Sequence, residues 1–370
     1  MKKAAIAVLF LAGAVVAASE SGKMGGFGNF ISDVQAEDEL SESDKDQKEI
    51  IEESDTTEED RVAAIDTSIT LGAGSRIAVV SKATDGEYWK LVRQGMEDAV
   101  KDINKAYEFS SDDEISMTFE GPSDEQDIET QVNTLDAVIA ENPTVLCMSA
   151  GDIESCQASS ENGIPVVVFD SNVSDDELVA AFRGTDNAYV GKLVAEKLAD
   201  AIGKSGKIAV FSAQEKTESS QKRVEGFKEA LADYEGISIV SELYTDKVKD
   251  MSEAMADVLR RYPDLDGVFC TNEDVADMYL GLDKGENTPV MVGVDATSVQ
   301  QKAITDGQEL GTVSQDPYDI GYQTIIAASQ AMSTDPAQAA SVEKNVLLEP
   351  KWIDASNIDD RVNGNYLYSK

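Results

Sequence analysis

Residues 126–149, QDIETQVNTLDAVIAENPTVLCMS, carry in one stretch both halves of the pattern that decides the fold class. Ile128, Val132, Leu135 and Ile139 recur at helical spacing and form one apolar stripe, as in a helix lying on a core. A few positions on, residues 144–149 make an almost unbroken apolar run, which suits a short strand buried on both faces. The same alternation extends in both directions from residue 75. Strands are predicted at 76–82, 115–120, 144–149, 165–170, 207–212, 237–244, 266–271, 289–295 and 310–315. Helices are predicted near 87–105, 126–141, 187–202, 219–233, 252–261 and 318–332. Apolar strands separated by amphipathic helices indicate parallel sheets covered on both faces. So many strand–helix units are housed more economically in two doubly wound α/β lobes than in one very wide sheet.

A doubly wound sheet opens its ligand crevice beyond the carboxyl ends of its strands. The residues that follow each strand are therefore candidate contacts. Asp170 closes VVVFD, Asn272 follows GVFCT, Asp295 closes VMVGVD and Gln315 ends LGTVSQ. Tyr88 and Trp89 open the helix after the first strand, and Arg223 lies in the helix after strand 207–212. Each of these alone is equally a turn residue, a helix cap, a core aromatic or a solvated charge. Together they hold what a pyranose or furanose requires. Carboxylates and amides exchange hydrogen bonds with hydroxyls, arginine donates a planar fork, and aromatic faces cover the C–H surface.

The composition narrows the chemistry. The 370-residue chain is 42% hydrophobic, enough for substantial cores, and carries a formal charge of −40. That field repels phosphate backbones, so nucleic acid is not expected as a partner. The absence of histidine removes the Ser-His-Asp and Cys-His devices and the usual neutral-pH general base. No Gly-rich dinucleotide or P-loop motif follows a predicted strand, and no enzyme activity, cofactor or metal is expected. The acids at Ser174-Asp175-Asp176-Glu177 lack the ligand alternation of a calcium loop. Cys147 and Cys270 sit in apolar strands as expected buried thiols, and a bridge from Cys147 to Cys156 is left open.

Residues 1–18, MKKAAIAVLFLAGAVVAA, read as a secretory signal or an N-terminal anchor, with a small-residue cleavage site at Val16-Ala17-Ala18 and no lipobox cysteine. Residues 19–74, with the acid-dominated EDELSESDKDQKEIIEESDTTEED at 37–60, read as a solvated, disordered spacer. The folded part is thus expected outside the cytoplasm, in the periplasm or at the cell surface.

Several stretches resemble type I periplasmic sugar-binding proteins of the ribose/galactose-binding branch. GEYWKLVRQGMEDAV (86–100) is similar to the segment whose adjacent aromatics stack on the sugar, here Tyr88 and Trp89. PVVVFDSN (165–172) resembles the segment whose aspartate binds hydroxyls, here Asp170, and GTDNAYVGKLVAEKLAD (184–200) the first crossing between lobes. SSQKRVEGFKEAL (219–231) carries the family's arginine as Arg223. LDGVFCTNED, VMVGVDAT and GTVSQDPYDIG match the segments supplying Asn272, Asp295 and Gln315. Three positions depart from ribose-type members: Gly86 replaces an asparagine, Ser171 an arginine, and Asp246 an aromatic between the lobes. A monosaccharide other than ribose, or a cyclic polyol, is the ligand these departures imply.

The resemblance implies lobe one from 75–184 and 316–346, and lobe two from 185–315 and 347–370. It implies a monomer that closes on a sugar and is read by an ABC transporter permease. An extracellular sensory protein read by a histidine kinase or chemoreceptor shares these features. A sugar-responsive transcription factor would need a DNA-binding element where the export signal stands. Glycoside hydrolysis by Asp170 and Asp295 would depend on their separation.

Overall fold

The computed structural model describes residues 56–152, 163–174, 179–285 and 288–369. The export segment, most of the acidic spacer, Cys156 and the acids at 175–177 lie outside the described residues.

The first half of the fold runs α1 (Glu58–Ala64), β1 (Arg76–Val80), α2 (Glu87–Ala106), β2 (Ser116–Glu120), α3 (Ile128–Ala140), β3 (Val145–Met148), β4 (Val166–Phe169) and β5 (Ala181–Thr185). The second runs α4 (Asn187–Ala201), β6 (Ser205–Ser212), α5 (Glu218–Leu231), β7 (Gly236–Tyr244), α6 (Met251–Arg261), β8 (Gly267–Cys270), α7 (Glu273–Leu280), β9 (Val290–Val294), α8 (Ser298–Thr305) and β10 (Gly311–Ser314). The chain then adds α9 (Pro317–Ala331), α10 (Pro336–Ala339), β11 (Asn345–Leu348) and β12 (Lys351–Asp354).

Two six-stranded sheets result, ordered β11-β5-β4-β3-β1-β2 and β12-β10-β9-β8-β6-β7. The order is the same in both, so the second half repeats the first. Neighbouring strands are parallel, except that β12 runs antiparallel to β10. The chain passes between sheets after β5, after β10 and between β11 and β12. The order reverses between β1 and β3 in one sheet and between β6 and β8 in the other, the switch points where such sheets hold ligands.

Strand residues alternate between the two faces of each sheet. In the first, Ile77, Val79, Val145, Cys147, Val167 and Phe169 pack towards α2 and α9. Ala78, Val80, Leu146, Met148, Val166 and Val168 pack on the other face with Leu135 and Val138 of α3. Each fully buried Val, Leu, Ile or Phe contributes about 1.5–3 kcal/mol, so these double-sided strands carry most of the apolar stabilisation. Cys147 and Cys270 are buried free thiols within them.

Every strand expected from the sequence forms. The missed ones, β5, β11 and β12, have polar or short patterns. In β5 (AFRGT) all five residues are buried, and the Arg183 guanidinium donates to the carbonyls of Phe182 and Glu343. α7 and α8 are eight-residue crossovers that the periodicity was too brief to reveal. Residues 58–64, expected within the solvated spacer, form α1 instead. No residue of this helix is buried. Ion pairs hold it to α2: Arg61 bonds the buried Asp102 at 2.8 Å, and Glu58 meets Lys101 and Lys105 at 2.9 Å. Thr57 and Asp60 close a capping box at its start. A purely apolar reading of the spacer could not register charges that find partners on another helix. No described helix is long and apolar enough to cross a membrane.

Candidate functional site

The residues at the strand ends of the two sheets face one another. Asp170, after β4, and Asp295, after β9, both have backbones in the left-handed region, with φ of 59° and 78°. A non-glycine residue held there costs free energy and persists where its surroundings over-determine it, a feature concentrated at functional sites. Each lobe therefore presents one aspartate from a constrained turn.

Asp170 is held by four donors. The Lys82 ammonium, following β1, lies 2.8 Å from Oδ2, and the Tyr88 hydroxyl donates to Oδ1 at 2.7 Å. The hydroxyls of Ser149 and Ser171 each approach Oδ2 at 3.0 Å. Three of these donors crowd Oδ2, so Oδ1, bonded by Tyr88 alone, keeps about one acceptor position open. Asp295 accepts from the Glu273 backbone N–H at 2.9 Å, from Gln315 Nε2 at 2.7 Å and from the Tyr368 hydroxyl at 2.9 Å. Gln315 in turn accepts from the Thr185 hydroxyl at 2.8 Å, linking two of the chain crossings.

Arg223 is buried on α5 and donates to Asn187 Oδ1 at 2.8 Å and to the Thr271 carbonyl at 2.7 Å. Those bonds use two of its five N–H groups and aim the fork at the strand ends. Asn272 caps α7, its side chain accepting from the Val275 N–H, which leaves its NH₂ free of that task. Tyr88, Asp170, Arg223, Asn272, Asp295 and Gln315 all line one cavity of about 20 Å³, together with Lys82, Glu125, Ser219, Ser220 and Glu273. That volume holds about one water and is far below the roughly 300–1,000 Å³ of small-molecule sites. Direct contacts now bridge them: the Thr217 hydroxyl donates to the Gly151 carbonyl at 3.0 Å, Ser171 and Ser219 hydroxyls meet at 2.9 Å, and Glu87 accepts from the Ser298 N–H at 2.7 Å.

Trp89 does not line this cavity. Adjacent helical residues point about 100° apart, so it cannot share Tyr88's direction. It is buried one layer behind, edge-on to Tyr88 at 5.1 Å, with its indole N–H donating to Glu125 at 2.9 Å. The sequence reading missed Lys82, Glu125 and Glu273. A lysine ending the apolar run IAVVS was the available signal for Lys82. Glu125, in the loop after β2, and Glu273, beside the cap Asn272, had no distinguishing pattern.

The electrostatics of the site are acid-rich. Burial alone would depress the Lys82 ammonium, but Asp170 and Glu125 outweigh it and hold it above the usual lysine range. Burial likewise opposes ionisation of Asp170, yet Lys82 and the Tyr88 hydroxyl hold that carboxyl below its usual value. Glu273 is pushed well up by burial and by the neighbouring Asp295, Asp274 and Glu125. Burial, then Glu125 and Asp124, raise Asp274 to about 7, and burial raises Asp277 to about 6. Carboxyls raised in the folded state contribute stability at acidic pH that is lost as pH rises through their folded values. Unfolding free energy is therefore expected to fall between pH 5 and pH 8, and Glu273→Gln to flatten the slope. Denaturant titrations across that range check it; a rise in stability would contradict the assignment.

Residues 77–335 match the model of a family described as periplasmic binding protein domain. The ribose import binding protein of Escherichia coli (strain K12) is 27% identical over 187 residues, 49% of this chain and 62% of that protein. The chain thus spans somewhat less than two thirds of that relative's length in the match. The D-allose-binding periplasmic protein of the same organism is 26% identical over 268 residues, 67% of this chain and 82% of that protein. Among solved structures, an ABC transporter solute-binding protein of Agrobacterium vitis with bound D-fucose superposes with a TM-score of 0.71 at 27% identity, covering 80% of this chain and 100% of that one.

Proposed function

The chain belongs to the periplasmic binding protein domain family, with the type I arrangement of two parallel-sheet lobes, and from this we propose that it captures a small sugar between its lobes and delivers it to an ABC importer. One observation carries the reading. A constrained aspartate from each lobe, Asp170 and Asp295, meets at one cavity beside a lysine, an arginine, two amides and a tyrosine. Carboxylates accept from sugar hydroxyls, Lys82 and Arg223 donate to hydroxyl and ring oxygens, and Tyr88 offers an apolar flank with a polar tip. Ribose-type relatives carry an arginine where Ser171 stands here; Lys82 supplies a cation to the neighbouring aspartate from a different strand end. A changed cation position favours a sugar other than ribose.

Only the closed pair lets both lobes touch one ligand, so ligand shifts the population toward closure, and the closed surface is what a permease would read. The chain crossings after Thr185, near Gln315 and at Glu349 and Pro350 would act as the hinge. Export by the N-terminal segment would place this capture outside the cytoplasm. The relatives act as binding proteins, and Asp170 and Asp295 are read here as ligand-holding groups without a catalytic role.

Thermal unfolding of the full chain against aldoses, cyclic polyols and amino acids tests the function. A ligand at a hundred times its dissociation constant adds about 2.7 kcal/mol, a visible rise in midpoint. A rise with one or two sugars is expected. A rise with amino acids alone would overturn the sugar reading.

A further inference from the structure

We propose that the C-terminal tail braces the ligand site from behind its lining, with Tyr368 as a positioning residue that fixes the lobe-two aspartate and sets which sugar epimer is accepted. The inference rests on the sugar-binding reading above. It concerns a segment beyond residue 335, where the family match ends.

The tail does not trail away from the fold. After β12 it turns through a short 3₁₀ helix, Arg361–Tyr366, and returns along the crossing between the lobes. Ser314, the last residue of β10, donates its hydroxyl to the Tyr366 carbonyl at 2.6 Å. The Lys351 ammonium sits over the Tyr366 ring at 4.6 Å. The Tyr368 N–H donates to the Ala296 carbonyl at 3.1 Å, directly after Asp295. These bonds hold the last turn of chain against the ends of β9 and β10.

Tyr368 then reaches both lobes. Its hydroxyl donates to Asp295 Oδ1 at 2.9 Å, while its ring packs within the lobe-one core, 5.9 Å from the Tyr88 ring. Tyr88 does the same for the other half, donating to Asp170 at 2.7 Å. Two tyrosines side by side therefore each clamp one strand-end aspartate, one supplied by α2 and the other by the tail. Burial and the nearby Asp295 push the Tyr368 hydroxyl well above its usual range, so it stays a proton donor. With Glu273, Gln315 and Tyr368 bound, Asp295 keeps about one acceptor position for a ligand hydroxyl. Which position that is depends on the tail. Loss of the Tyr368 hydroxyl would free a second position and relax the choice between epimers that differ at that hydroxyl.

The test is calorimetric titration of the full chain and of Tyr368→Phe with D-ribose, D-allose, D-fucose and their epimers, alongside thermal unfolding without sugar. Phenylalanine keeps the ring in the core, so the chain should still fold cooperatively, its melting midpoint lowered only by the loss of one hydrogen bond. Affinity should fall about tenfold for the preferred sugar, because Asp295 loses the donor that fixes its orientation toward the ligand. The ratio between epimers should also narrow, which loss of packing alone would not produce. Sugar binding by wild type with unchanged affinity and epimer ratio in Tyr368→Phe overturns the role of the tail and leaves the function standing. A wild-type chain that binds none of the sugars overturns the functional reading, and the tail's role with it.

Discussion

Asp170→Ala is expected to lower the unfolding free energy by roughly 3–5 kcal/mol and to abolish ligand capture, the largest effect of any polar substitution in the site. Lys82 and Asp170 are nearly inaccessible to solvent, with side-chain exposures of 5% and 4%. Removing the carboxylate leaves a buried ammonium whose next anionic neighbour, Glu125, is 4.0 Å away. Two serine hydroxyls and a tyrosine hydroxyl lose their acceptor as well. A paired substitution, Lys82→Met with Asp170→Leu, should restore much of the stability, because replacing both members of a buried pair by apolar groups is often neutral. It should not restore binding. The pH dependence has a definite sign. Asp170 is held below its usual value, so the pair's contribution is present above about pH 4 and is lost as pH falls through the depressed value. Urea unfolding of the two variants measures all of this; a loss below about 1 kcal/mol in Asp170→Ala would contradict the buried pair.

Gly226→Val should destabilise lobe two by about 3 kcal/mol or more and leave little folded protein after expression. The helices α4 and α5 cross at closest approach where Gly191 and Gly226 face each other. A Cβ on Gly226 would fall 2.2 Å from the Ala188 carbonyl oxygen, and one on Gly191 would fall 2.0 Å from that of Arg223. Both obstacles are backbone, so the helices must separate to admit any side chain, and a close-packed interior transmits that shift to its neighbours. The consequence for function is direct, since Arg223 sits on the same face of α5 and bonds Asn187 of α4. The α2–α9 crossing in lobe one repeats the device. Gly281→Ala is the control, because its added Cβ would lie 3.5 Å from the nearest atom. Equal unfolding midpoints for the Gly226 and Gly281 variants would contradict the crossing geometry.

The fold was legible wherever burial wrote a continuous pattern. The runs TVLCM and PVVVFD named their strands, and strand ends named the crevice, because one rule of sheet topology links the two. Six of the seven candidate residues line the same cavity for that reason, while Trp89, adjacent to Tyr88 on a helix, stands behind it against Glu125 and Lys82. What stayed hidden depends on partners distant in sequence. Lys82 acquires its role only when β4 brings Asp170 beside it, and Tyr368 only when the tail returns across 73 residues to Asp295. Helix α1 was hidden for a similar reason: its Glu58 is bound by two lysines and its arginine by a buried aspartate, all on α2.

The central claim is that a carboxylate from each lobe holds one sugar. Calorimetric titration of the wild-type chain, Asp170→Asn and Asp295→Asn with the sugar that raises the melting midpoint most tests it directly. Each variant should lose at least about tenfold in affinity, since each removes charge-assisted hydrogen bonds from a different lobe. Wild-type affinity in either variant would mean that its lobe does not hold the sugar through that aspartate, and would contradict capture between the lobes.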